Sequence, residues 1–341
     1  MPFSLEKYQI SFDSPSKTYS PGSKVSGKLQ FFTDTPLSVR FIKISWNGSM
    51  KTCLPDVSDH FSKVFLFGDK VVWQSKYGMN ILPPGLHVFP FSFPLPTTCE
   101  PSFYGEFGAI DYFVKVHMNR PWPKFNLETS RQFIVTKPYD IREKAKDMMV
   151  GARFSSHRVA GTIFKDGQFS IRVKMPTRAF TPGETIFATV EIENNTCKPI
   201  KTLETQLIHQ SHYHHRPSTP CGISECRSCP LPSKNHAEAE EVLQIVDFEC
   251  EVLPFTRRSF DIQITLSKNL QMVFENSLIS TGYLLCFTAK NRSFSGNKLQ
   301  CNVRIVIGTI LNTQKTLKTQ KTANLSVPPP PYDPKWSVYR I

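Results

Sequence analysis

The chain has 341 residues, 40% hydrophobic and 12% aromatic, which is enough apolar material for two buried cores and excludes a disordered polymer. Charged residues make up only 20% and there are 27 prolines, a mix that favours short strands and frequent turns over long surface helices. The net charge of +13 permits attraction to an anionic membrane surface or to phosphorylated tails. Lysine and arginine are scattered without a base-reading motif, so no nucleic acid partner is expected.

Met1 to Ile10 alternates polar and apolar residues, so no signal peptide is expected there. No apolar run approaches the roughly 18 residues that a membrane-spanning helix needs. Met1-Pro2 is not a myristoylation start, and Tyr339-Arg340-Ile341 is not a prenylation box. The odd count of 9 cysteines, unevenly spread, suits reduced thiols in the cytoplasm better than a disulfide framework.

From there the chain reads as strands with one buried face. Tyr19-Ser20-Pro21-Gly22 is a turn that leads into Val25, Gly27, Leu29 and Phe31. Proline presets φ at the first corner of such a turn, and glycine supplies the positive φ at the second. Pro36-Leu37 then opens a strand through Val39, Phe41, Ile42 and Ile44. Leu82-Pro83-Pro84-Gly85 leads into Phe89, Phe91, Phe93 and Leu95, and Ile110, Tyr112, Val114 and Val116 alternate beyond it. Asp140 to Phe164 is charged and poorly periodic, with Arg142, Lys144, Lys146, Arg153 and Arg158, and is read as a linker with at most a helical turn.

The second half repeats the first. Phe180-Thr181-Pro182-Gly183 leads into Ile186, Ala188, Val190 and Ile192, its proline 161 positions after Pro21. Pro199-Ile200 precedes Leu203, Leu207 and Ile208, and Val246, Phe248, Cys250 and Val252 follow. Leu253-Pro254 precedes Phe260, Ile262 and Ile264, Gly282-Tyr283 precedes Leu285 and Phe287, and Cys301, Val303, Ile305 and Ile307 close the set. Matched landmarks in one order indicate a duplication. The expected fold is all-β: two tandem antiparallel β-sandwich domains of immunoglobulin-like type, because two packed sheets need every second residue apolar. The expected boundaries are 1–140 and 165–312 for the sandwiches, 141–164 for the linker, and 313–341 for a short, flexible, disordered tail. Trp46, Trp73 and Trp122 are expected to be core or turn aromatics.

These motifs resemble the arrestin superfamily, and its α-arrestin branch (arrestin domain-containing proteins) most closely. The resemblance is carried by Tyr19 to Gly22, Leu82 to Pro96, Pro101-Ser102-Phe103 with Gly105, Ile110 to Val116 and Arg120-Pro121-Trp122. It implies two cupped arrestin-type sandwiches and an adaptor role in protein transport. It further implies binding to cytoplasmic regions of membrane receptors or transporters, and recruitment of Nedd-family HECT ubiquitin ligases through PPxY motifs. Relatives often carry two such motifs on a longer tail, whereas one is present here, and no clathrin or AP2 peptide is recognisable.

That motif is Pro329-Pro330-Pro331-Tyr332, in a stretch rich in Thr, Lys, Gln, Asn and Ser. Consecutive prolines adopt polyproline II with little ordering entropy left to lose, and the aromatic groove of a WW domain binds that helix. Pro329, Pro330, Pro331 and Tyr332 are therefore the expected WW-domain-binding residues.

A second constellation is rich in ligand chemistry. His209, His212, His214 and His215 precede Cys221, Cys226 and Cys229, with His236 beyond. Cys226-x-x-Cys229 is a zinc half-site that His212, His214 and Cys221 are near enough to complete, but a second half-site at standard spacing is missing. An exposed loop inserted between strands is the preferred reading, so no metal or cofactor is assigned. Neither a hydrolase elbow, a metalloprotease HExxH, a phosphate loop nor a dinucleotide fingerprint is present, and no catalytic residues are expected. The functional expectation is a non-catalytic adaptor, cytoplasmic and peripheral to plasma membrane and endosomes. It would link cargo to a ubiquitin ligase for endocytosis and endosomal sorting. A retromer-like structural subunit and a zinc-binding scaffold of the same fold are the alternatives.

Overall fold

The computed structural model describes residues 6–75, 78, 80–159, 167–220, 229, 231–290 and 298–310. Two compact units divide between Lys137 and Pro138. The strands of the first are β1 (Glu6–Phe12), β2 (Thr18–Tyr19), β3 (Lys24–Thr33), β4 (Leu37–Ser38), β5 (Phe41–Thr52) and β6 (Phe61–Gln74). They continue with β7 (Ile81–Leu82), β8 (Gly85–Pro94), β9 (Phe103–Gly105), β10 (Gly108–Asn119), β11 (Leu127–Gln132) and β12 (Ile134–Val135). One sheet runs β1-β3-β8 and the other β11-β10-β5-β6, with β9 added against β10.

The second unit contains the helical turn α1 (Ile141–Lys144), then β13 (Ala152–Val159), β14 (Gly167–Met175), β15 (Ala179–Phe180), β16 (Thr185–Thr196) and β17 (Ile200–His214). After these come β18 (His236–Val252), β19 (Thr256–Thr265), β20 (Ile279–Lys290) and β21 (Lys298–Ile307). Its sheets run β13-β14-β16-β19 and β15-β21-β20-β17-β18. The expected all-β architecture of two sandwiches built from antiparallel sheets is the one observed, and each sandwich closes with one short parallel pair.

Alternation explains the cores. In β3, Val25, Leu29 and Phe31 point inward, and in β10, Tyr112, Val114 and Val116 do the same. In the second unit Ile186, Val190 and Ile192 of β16 face Leu285, Phe287, Val303 and Ile305 of the opposite sheet within one cluster.

The duplication is visible in hydrogen bonds. Gly22 (φ 80°) and Gly183 (φ 86°) both occupy the left-handed region that the Pro-Gly turns require. Ser23 N–H donates to Ser20 O at 3.0 Å, and Glu184 N–H donates to Thr181 O at 3.1 Å, closing the same turn twice. Before each turn a two-residue strand pairs in parallel with the last part of its own unit, β2 with β12 and β15 with β21. In each unit one buried tyrosine donates its hydroxyl to a carbonyl upstream. Tyr112 bonds Glu100 O, and Tyr283 bonds Gln271 O at 2.7 Å. Burial raises both phenols above their ordinary pKa, so they act as neutral donors.

Within the expected linker, residues 141–159 are built into the second unit, and residues 160–164 lie outside the described residues. Ile141, Ala145 and Met148 belong to the second core, and Ile141 N–H donates to Thr309 O at 3.0 Å. Asp140 caps α1 by accepting from Arg142 N–H at 2.9 Å. Strand β13 then pairs along its length with β14, from Ala152 opposite Met175 to Val159 opposite Gln168. It is the outermost strand of its sheet, so only one edge is bonded, and its polar composition suits that position.

Candidate functional site

Pro329, Pro330, Pro331 and Tyr332 lie outside the described residues, as do Cys221, Cys226 and Trp336. Trp46 packs in the first sandwich, stacked on Phe93 at 4.5 Å between ring centroids. Trp122 stands in a turn with its side chain exposed. Of the basic residues, Lys43 pairs with Asp69 at 3.4 Å and Lys115 with Glu128 at 2.7 Å. Arg142 and Lys144 are exposed on α1 in the other unit, with Lys144 over the Tyr139 ring.

The histidine-rich segment is placed differently from the loop expected for it. His209, His212 and His214 lie within β17, which is paired on both edges, with β18 and with β20. Strand geometry sends His212 and His214 to one face and His209, Ser211 and Tyr213 to the other. His212 is 8% exposed and His214 1%, values of interior residues rather than of a solvated loop.

The surroundings of the two rings are specific. Glu238 stands opposite His212 on β18, and its Oε1 is 3.2 Å from His212 Nδ1. His214 Nδ1 is 3.2 Å from Ser277 O, in the turn preceding β20. That turn is shaped by Asn276, whose Oδ1 accepts from the backbone N–H groups of Leu278 and Ile279, both at 2.9 Å. His214 N–H donates to Leu278 O at 2.8 Å, which locks the end of β17 against the same turn. Cys229 returns to this place, its Sγ 3.6 Å from His214 Nε2. One potential ligand atom from each of His212, His214 and Cys229 lies within 4.8 Å of the others. The His236 ring stacks on His212 at 5.3 Å.

Burial favours the neutral form of the His212 and His214 imidazoles. Burial, followed by the adjacent His214, lowers the pKa of His212 against the opposing pull of the Glu238 carboxylate. Burial also lowers that of His214, against its bond to the Ser277 carbonyl. On the opposite face of β17, burial against the Tyr283 ring brings His209 down to about 4. Elsewhere in the second core, burial pushes the Cys301 thiol up to about 11, which makes it a packing residue rather than a nucleophile. Sequence spacing named the ligand-type residues of this cluster, but neither Glu238 nor Ser277. They come from a neighbouring strand and a distant turn, which a reading of local spacing does not reach.

No described helix is long and apolar enough to cross a membrane. Residues 8–142 match the family described as arrestin (or S-antigen), N-terminal domain, and residues 165–312 match its C-terminal domain. Arrestin domain-containing protein 17 of Caenorhabditis elegans is 28% identical over 225 residues, covering 61% of this chain and 52% of that protein. Arrestin domain-containing protein 1 of Rattus norvegicus is 24% identical over 259 residues, 73% of this chain and 58% of the relative. Thioredoxin-interacting protein of Homo sapiens is 24% identical over 222 residues, 61% and 55% of the two chains. The chain therefore aligns with somewhat more than half the length of these curated relatives. With both arrestin domains matched in order over a duplicated pair of β-sandwiches, the chain belongs to the arrestin superfamily, in the branch of arrestin domain-containing proteins.

Proposed function

We propose that this chain is a non-catalytic adaptor that joins membrane-protein cargo to a WW-domain HECT ubiquitin ligase, promoting ubiquitination, endocytosis and endosomal sorting. The observation that carries the reading is the conjunction of two arrestin domains with Pro329-Pro330-Pro331-Tyr332 beyond the last family-matched residue. A proline-rich peptide ending in tyrosine offers a preformed helix with an apolar ring, which an aromatic groove binds without a large ordering cost. Cargo would be the cytoplasmic regions of receptors or transporters, held by the sandwich surfaces, with an anionic membrane favoured by the net charge of +13. The place of action on this reading is the cytoplasmic side of plasma membrane and endosomes.

One short peptide binds modestly on its own. Simultaneous engagement of cargo and ligase raises effective concentration and makes the pair of contacts stronger than either. The test compares captures from cells by the full chain and by Tyr332→Ala. Loss of WW-domain ligases with retention of membrane proteins supports the adaptor. Equal capture of ligases by both forms sinks the assignment of Tyr332.

A further inference from the structure

We propose that His212, His214 and Cys229 bind a zinc ion that fastens Cys229 to the end of the β17–β18 hairpin. The proposal stands on the orientation of the two imidazoles. A carbonyl oxygen only accepts, so the contact of His214 Nδ1 with Ser277 O places the ring hydrogen on Nδ1. The same holds for His212, whose Nδ1 faces the Glu238 carboxylate. A neutral imidazole carries one N–H, so Nε2 bears a lone pair in both rings. The His214 lone pair thus lies beside the Cys229 thiol, and His212 offers a ligand atom within 4.8 Å of both.

His212 supplies an independent observation. Its Nε2 is buried and makes no hydrogen bond among the described residues, although the residue is more than nine-tenths buried. An interior polar atom without a partner destabilises a fold, and a metal ion at that atom is the partner that its lone pair can accept. The donor set is two imidazoles and one thiolate, which suits zinc better than the all-oxygen sites of magnesium or calcium. Zinc bonds of about 2.0–2.3 Å at tetrahedral angles set neighbouring ligand atoms about 3.5 Å apart. The His214–Cys229 separation of 3.6 Å already fits that figure, and the outer limit of 4.8 Å for the group needs a closure of only about 1 Å.

Glu238 and the Ser277 carbonyl then serve as positioning groups. A carboxylate behind a ligating histidine fixes its tautomer, aims Nε2 and increases its basicity. It also balances charge, since one thiolate and one carboxylate together neutralise a divalent cation. The three ligands found among the described residues occupy three vertices of a tetrahedron, and a fourth donor completes it.

The test uses the full chain, purified without chelators, with zinc and then cobalt(II) as probes. The expected result is about one zinc per chain by elemental analysis. Cobalt should give the intense visible bands of a four-coordinate site and a thiolate-to-cobalt charge-transfer band in the near ultraviolet. Cys229→Ser should abolish the charge-transfer band while the far-ultraviolet circular dichroism stays that of the wild type. Glu238→Gln should keep the fold and weaken zinc by about 10–100-fold in a chelator competition. A chain that neither retains zinc nor takes it up from a zinc-buffered solution overturns the proposal. So does a charge-transfer band that survives Cys229→Ser, because the thiolate then comes from another residue.

Discussion

In the first sandwich residues 53–60 connect β5 to β6, whereas in the second residues 215–235 connect β17 to β18. The strands around these connections correspond. Gly48 pairs with Tyr112 and His209 with Tyr283, so the spacing of 161 that separates Pro21 from Pro182 also relates the two hairpins. By that register Lys51 and Cys53 occupy in the first unit the places of His212 and His214 in the second. Lys51 is exposed, where His212 is buried beneath stacked His236. The frame is held in common by turns, tyrosine hydroxyls and parallel pairs, and what departs from it is one connection together with the strand residues that face it. Shared elements are those whose loss would open a core, and chemistry has collected where the frame imposes least.

The largest effect expected on this comparison comes from within a core. Ile305 is fully buried in the second cluster, and Ile305→Ala should cost about 3 kcal/mol through lost burial and the cavity left behind. Hydrogen exchange should quicken in β20 and β21 and stay unchanged in β5 and β10. Equal quickening in both sets would show that the two cores do not behave as separate packing units. Next come the tyrosines. Tyr112→Phe and Tyr283→Phe each leave a carbonyl without its donor, and each should lower stability by about 1–2 kcal/mol in denaturant titration. Matched losses sharpen the correspondence, and a large loss in one with none in the other breaks it.

The smallest effect is expected at Glu191, whose carboxylate meets Arg172 and Arg257 across the face of β16. Both arginines are largely exposed, so Glu191→Gln should cost less than either tyrosine and the difference should shrink in salt. The bond from Arg257, then the one from Arg172, holds this carboxyl below its ordinary pKa. A depressed carboxyl contributes stability above its unfolded value and loses it as pH falls through the folded one. The variant should therefore be less sensitive to acid over that range than the wild type, as read from melting temperature against pH.

Much of this frame was legible because its causes are local. Pro21-Gly22 and Pro182-Gly183 dictate their turns through φ alone, and β3 and β16 declare their buried faces within a few residues. Strand β13 was not legible. It has a single bonded edge and carries Arg153, Ser155, Ser156 and His157, with Phe154 its main apolar contribution to the core. Its strand character comes from β14, a neighbour formed later in the chain. For the same reason the histidines of β17 could be counted but not oriented, since Glu238 and Ser277 reach them across a hairpin and a turn. The Pro329–Tyr332 motif is the opposite case, defined to the residue by sequence, with a meaning that rests on the partner proposed for it.

In each sandwich the strand before the Pro-Gly turn lies alongside the segment that closes the unit, Thr18–Tyr19 with Ile134–Val135 and Ala179–Phe180 with Val306–Ile307. In the second unit Asp140 also bridges Thr309, so the way in and the way out run side by side. A module whose two ends meet can be cut at an exposed loop and rejoined through its old termini, or spliced whole into a loop of another protein, with little disturbance of its core. The second sandwich is therefore a natural subject for circular permutation, with its new ends placed away from the 140–309 seam.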